Sequence, residues 1–182
     1  MKGIVFSELI AMAEELLGEE AVDDVLTGSD LASGGAYTSV GNYPCGELMT
    51  LVAAFSARGA IPAADLQRRF GRWMQGRFHA GYPLFFADKP DALAMLEAIE
   101  GEVHAEVRKL YPDAELPRFD SRRLPGEEGL ELVYHSPRPL GDFCHGLIEA
   151  CIAHFGRPAR IDRRDLPAPE GMSIRFTIRM AG

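Results

Sequence analysis

ELPRFDSRRLPGEEGLELVYHSPR, residues 115–138, is where the chain changes from helical to extended patterning. Runs at 116–124 and 129–137 meet around the PGEEG turn and read as an antiparallel hairpin. Residues 158–165 and 171–180 read as a second hairpin, with SIRFTIRM alternating at period two. Between the hairpins, 140–155 reads as a helix. Upstream of 115 the periodic stretches are helical. Helices, two strands, one helix and two strands predict an α+β fold, its four-stranded antiparallel sheet confined to the C-terminal half.

In the N-terminal half, Val5, Leu9, Met12 and Leu16 recur at helical spacing, so the first 17 residues read as an amphipathic helix ending near Gly18. A shorter helix is expected over 20–27, then a long Gly- and Ser-rich ordered loop over 28–46. Helices over 45–58 and 63–79 are split by a turn at Gly59–Pro62. GYPLFFADKP, 81–90, is an aromatic connection, and Asp88 or Asp91 is placed to cap a long helix over 91–111. The 182 residues suit one domain, with a helical part at 1–60 and an α+β part at 61–182.

Nineteen basic against 27 acidic residues leave a net charge of −8, which argues against nucleic acid as a partner. A local basic patch around Arg157, Arg160, Arg163 and Arg164 stays open. Cys45, Cys144 and Cys151 lack CxxC spacing, so neither a disulfide framework nor a structural zinc site is expected. Glu8, Glu14 and Glu15 interrupt the first apolar run, and no stretch suits a membrane span. A soluble, cytoplasmic protein is expected.

Three features carry chemistry. In EGEVHAEVRKLYPDA, residues 100–114, His104 lies at the edge of a stripe made by Leu93, Leu96, Ile99, Val103, Val107 and Leu110. On this helix alone a boundary histidine satisfied by a backbone carbonyl is favoured over a ligand. Gly101, one turn earlier, suggests close approach by another group. In YHSPR, residues 134–138, period two puts Tyr134, Ser136 and Arg138 on one face. That row offers two hydroxyls and a guanidinium fork, a set matched to carboxylates. Val5, Leu9, Met74, Phe78, Phe143 and Leu147 supply apolar surface from different helices. A flat apolar ligand with one metal and two carboxylates uses all three features, and heme is such a ligand.

The sequence resembles the heme-nitric oxide/oxygen binding (H-NOX) domains, bacterial gas sensors related to the heme domain of soluble guanylate cyclase. The resemblance rests on MKGIVF at the start, RRFGRWM at 68–74, FHAGYPLFF at 78–86, EVHAEVRKLYPDAELPRF at 102–119 and YHSPR. It implies heme b (iron protoporphyrin IX), with His104 as the proximal iron ligand and Tyr134, Ser136 and Arg138 holding the propionates. It also implies that Pro117 presses on the heme, and that Val5, Leu9, Met74, Phe78, Phe143 and Leu147 line the distal side.

In the oxygen-binding branch of that family a distal tyrosine donates to the bound gas. Here the corresponding position is Phe143, and neither Leu9 nor Met74 can donate. The resemblance therefore implies a sensor of nitric oxide that also takes CO. Cys144, His145 and Tyr82 are the neighbours that could alter this pocket. Nitric oxide weakens the bond trans to it, so lengthening or loss of the iron–His104 bond, releasing helix 91–111, is the expected signal. Nothing here resembles a kinase or cyclase, so the output is expected from a separate histidine kinase or a cyclic-di-GMP synthase or phosphodiesterase. Other readings are an oxygen-binding member of the family, a heme-free scaffold of the same fold, and a thiol enzyme using Cys144 with His145 or His154. The last lacks a positioned acid and an oxyanion loop, and no enzyme activity is expected.

Overall fold

The computed structural model describes residues 1–181. Helices α1 (Gly3–Leu17), α2 (Glu19–Gly28), α3 (Cys45–Gly59) and α4 (Ala63–Gly81) come first. Then follow α5 (Leu84–Ala87), α6 (Ala92–Ala98), a π-helical segment (Ile99–Val103) and α7 (His104–Leu110). Strands β1 (Arg118–Arg123) and β2 (Gly129–Ser136), helix α8 (Gly141–His154), and strands β3 (Ala159–Leu166) and β4 (Met172–Met180) complete the chain. The α+β class and the sheet's place in the C-terminal half are as the patterning predicts.

The four strands lie in the order β1-β2-β4-β3, antiparallel throughout. Alternation along β2 buries Leu130, Leu132, Tyr134 and Ser136 and leaves Glu131, Val133 and His135 half-buried. Tyr134 pairs across to Phe119 on β1 and Ile174 on β4. The buried face meets α6 and α8 in a core of Leu93, Leu96, Ile148, Ile152, Phe176 and Ile178. A second core is built from α1–α4 around Phe6, Leu9, Leu51, Phe55, Phe70 and Met74.

The halves meet where α4 crosses α8 at two glycines. A Cβ on Gly71 would lie 2.1 Å from Phe143 O, and one on Gly146 would lie 2.1 Å from Arg68 O. Only glycine allows this backbone-to-backbone approach. Arg68 and Arg72 of α4 then grip Glu149 of α8 alongside the crossing.

Three details depart from the sequence reading. The long helix is not one α-helix: His104 N–H bonds to Ile99 O, five residues back, and a π turn results. The aromatic connection holds the short helix α5, with Phe86 buried as its anchor. Gly101 is not approached by any protein group, since a Cβ there would meet nothing within 4 Å. Its low helix propensity falls where the α-helical ladder is already interrupted. Of the two candidate caps, Asp91 serves, accepting Ala94 N–H at 2.8 Å. The basic patch is also largely neutralised, because Arg157, Arg160 and Arg163 pair with Glu128, Asp162 and Asp142.

Candidate functional site

His104 stands at the first residue of α7, directly after the π turn. Its Nδ1 lies 3.1 Å from Glu100 Oε2. A carboxylate can only accept, so Nδ1 carries the proton and the lone pair is left on Nε2. The same Glu100 oxygen accepts Phe119 N–H at 3.1 Å, and the other accepts from Arg108. Burial pushes the Glu100 carboxyl up, but Arg108, His104 and the Phe119 N–H together hold it below its ordinary value. Burial lowers the His104 pKa against the opposing pull of Glu100. Burial thus favours the neutral ring, and with Nδ1–H held by Glu100 the unprotonated Nε2 is the nitrogen open to a metal.

Around His104 the packing is incomplete in a specific way. In α6, Leu93 is 0 % and Leu96 2 % exposed. The π segment and α7 contain no buried residue, although Val103 and Val107 continue the same apolar stripe. Aromatic contacts bridge this region to the sheet. The His104 and Phe119 ring centroids are 5.7 Å apart, and Phe119 and Tyr134 are 5.5 Å apart.

Tyr134 and Ser136 point to the inner face of β2, and both are buried. Strand β2 ends at Ser136, so Arg138 leaves the ladder and its N–H turns back to Ser136 Oγ at 3.0 Å. Burial raises the Tyr134 pKa, with Ser136 and Arg138 pulling the other way. The Arg138 fork is engaged by Glu115, on both its carboxylate and its backbone oxygen. Pro117 lies between Glu115 and β1, two residues before Phe119.

On the opposite side, all six apolar candidates gather in one cluster. Leu9 and Met74 are fully buried, while Val5, Phe78, Phe143 and Leu147 pack on them half-buried. Phe143 meets Phe70 at a centroid distance of 4.9 Å. The three neighbours face elsewhere. Cys144 belongs to the sheet-side core. His145 packs edge-on against Phe176, 5.3 Å away. Tyr82 is 49 % exposed. Burial drives the Cys144 thiol up and the Cys151 thiol up to about 12, the reverse of an activated nucleophile.

Sequence reasoning missed Glu100, Glu115, Phe119 and Gln75. Glu100 is four residues before His104, a spacing that places two side chains on one helical face. Glu115 and Phe119 reach the site only through the tertiary fold. Gln75 follows Met74 in α4 and is buried with its Nε2 unpartnered.

Residues 2–163 match the model of the Haem-NO-binding family. This chain belongs to that family. The ferrous unliganded H-NOX protein of K. algicida is 34 % identical, with a TM-score of 0.91 over 100 % of this chain and 97 % of its own. The IWP-051-bound H-NOX of Shewanella woodyi, in its Fe(II)CO state, is 35 % identical, with a TM-score of 0.83 over 100 % of this chain and 95 % of its own. An H-NOX protein of S. oneidensis in the Fe(II)NO state shares 24 % identity and, with a TM-score of 0.89 over the full length of both chains, shows the common fold. No curated protein matches the sequence.

The H-NOX fold is that of heme-binding gas sensors, and the residues present fit heme. His104 offers an unprotonated nitrogen beside an apolar stripe whose C-terminal end, Val103 to Leu110, is only partly covered by protein. The Arg138 fork takes a carboxylate in this structure, that of Glu115. No described helix is long and apolar enough to cross a membrane.

Proposed function

We propose that this protein senses nitric oxide, and binds CO, at a ferrous heme b held by His104. The observation that carries this is the His104 ring, fixed through Nδ1 on a helical segment with no buried residue of its own. Ferrous heme would supply an iron that binds these gases and whose hold on His104 nitric oxide would weaken.

The protein's own residues do the rest. His104 offers one ligand, so the iron's other ligands must arrive with it, as they do in a macrocycle. Tyr134, Ser136 and Arg138 would hold the two propionates, with Arg138 leaving Glu115 to do so. Pro117 would bear on the heme beside β1. Val5, Leu9, Met74, Phe78, Phe143 and Leu147 would enclose the gas and exclude water. None of these six can donate a hydrogen bond, which favours nitric oxide over oxygen. The Fe(II)CO state of the 35 % identical Shewanella woodyi protein supports a diatomic gas as the ligand. Release of His104 would free α7, which no buried residue pins, and would let the helical and sheet-bearing halves shift. A separate histidine kinase or cyclic-di-GMP enzyme would read the shift in the cytoplasm, this chain being one sensor domain with no catalysis of its own.

One observation weighs toward the oxygen-binding alternative. Gln75 is a buried amide flanked on its own helical face by Gly71 and Phe78. Met74 shares a buried cluster with Leu9 and offers no donor there, so the nitric oxide reading is preferred. Reduction without oxygen, followed by air, decides between them. A stable new spectrum in air supports the oxygen reading, and simple oxidation supports ours. A five-coordinate nitrosyl spectrum on adding nitric oxide supports both the ligand and its release, whereas a His104→Gly variant with an unchanged ferrous spectrum overturns the assignment of the ligand.

A further inference from the structure

We propose that Glu100 is the positioning residue that sets the strength of the iron–His104 bond, with Arg108 as its counterweight; this rests on His104 being the iron ligand. The geometry divides one carboxylate between two tasks. Oε2 accepts from His104 Nδ1, 3.1 Å away, and from Phe119 N–H, also at 3.1 Å. Oε1 accepts from the Arg108 guanidinium. A carboxylate behind a ligating imidazole fixes the ring and its tautomer and raises the donor strength of the far nitrogen. A guanidinium on the same carboxylate draws charge away and lowers that strength.

The arrangement also fixes where the histidine goes once released. Glu100 stands in the π segment and is tied to the first inward residue of β1. A ring held at Nδ1 moves with Glu100 and with the strand that begins at Phe119. The strength of the bond and the direction of the movement therefore run through one side chain. Four residues separate Glu100 from His104, and eight separate Glu100 from Arg108, so all three lie along one side of the helix.

The test is the iron–histidine stretching band of ferrous, heme-loaded protein by resonance Raman spectroscopy. Glu100→Gln is expected to shift the band to lower frequency and to speed heme loss about ten- to hundredfold, the usual scale for such outer partners. Arg108→Ala is expected to shift the band the other way, because the carboxylate is then left wholly to His104 and Phe119. Opposite signs from the two variants are not produced by a merely structural role. Should Glu100→Gln fail to fold, Arg108→Ala alone still decides by the direction of its shift. Bands unmoved in both variants, or moved in the same direction, overturn the proposal. His104→Gly serves as the control. A band that survives it defeats the ligand assignment itself, whereas a band lost there but unmoved in the Glu100 and Arg108 variants defeats only this inference.

Discussion

Gly71 of α4 and Gly146 of α8 stand in mutual backbone contact, each occupying a place where a methyl group would strike the other helix. The gap left for a Cβ is 2.1 Å on either side, well inside van der Waals contact. This contact carries Phe143 against Phe70 and sets Phe143 and Leu147 in the same cluster as Met74 and Phe78. The placement of this apolar cluster thus depends on two residues that have no side chains.

Gly71→Ala is therefore expected to push the helices apart. Inserting a methyl into a packed contact costs about 1–3 kcal/mol, and the clash here is with backbone, which cannot swing aside. Urea unfolding of the variant should show a lower midpoint at unchanged slope. In heme-loaded protein the Soret band should also move, because Phe143 and Leu147 travel with α8. An unchanged midpoint would mean that the crossing has slack the structure does not show.

Arg138 makes a second expectation, since its fork is held by Glu115. If the fork serves a propionate, Glu115 competes with it. Glu115→Ala should then slow the transfer of heme to an apo-globin acceptor. Arg138→Ala should accelerate it by roughly ten- to hundredfold, the scale of a charge-assisted hydrogen bond worth about 1.5–3 kcal/mol. Equal rates in both variants would remove Arg138 from the carboxylate clamp.

How far the sequence could be read follows from how local each signal is. The helices α1, α3, α4 and α8 and both hairpins are written in apolar periodicity and turn residues, and they stand close to the expected bounds. The π turn before His104 is not, because the four-residue spacing of Ile99, Val103 and Val107 suits an uninterrupted α-helix equally well. Tyr134 and Ser136 follow from strand alternation and do share a buried face. Arg138 was assigned to that same face, yet β2 stops at Ser136 and Arg138 is brought back by a turn. Glu115 was invisible because its partner lies 23 residues away across the hairpin. The six distal residues could be gathered only by the resemblance, since no spacing links α1, α4 and α8.

Acid should weaken the fold before any carboxylate titrates. Burial, then the Arg68 guanidinium, holds His145 below the ordinary histidine value, and burial, then His79, does the same for His154. A depressed folded-state pKa means that the unfolded chain binds these protons more readily. The neutral forms' stability is full above about pH 6.5, the unfolded value, and is lost as pH falls toward the folded values. Urea midpoints should begin to drop as pH falls below about 6.5, and His145→Gln should shrink that drop. A midpoint that stays flat there contradicts the linkage.

Phe143→Tyr tests the distal reading directly. Phe143 is half-buried in the distal cluster, and a hydroxyl on its ring adds the one donor that the six residues lack. A neutral donor near a gas carrying partial negative charge is worth about 1–3 kcal/mol, or roughly five- to 150-fold in affinity. The reduced variant should hold a stable spectrum in air where the parent oxidises.

Gln75 supplies the complementary test. Its Nε2 is buried without a hydrogen-bond partner, and a donor left in that state costs about 1–3 kcal/mol. Gln75→Leu keeps most of the volume and removes the unpaired amide, so it should stabilise the apo-protein by about 1 kcal/mol. Urea unfolding measures this. The same variant loaded with heme and CO then separates two origins for the amide. If Gln75 only fills the interface with α8, the C–O stretching band stays where it is, and this is the expected outcome with Met74 forming the wall. If the amide points at the gas, the band rises as the donor is lost. The absence of a donor at Phe143 would then no longer decide which gas the pocket favours.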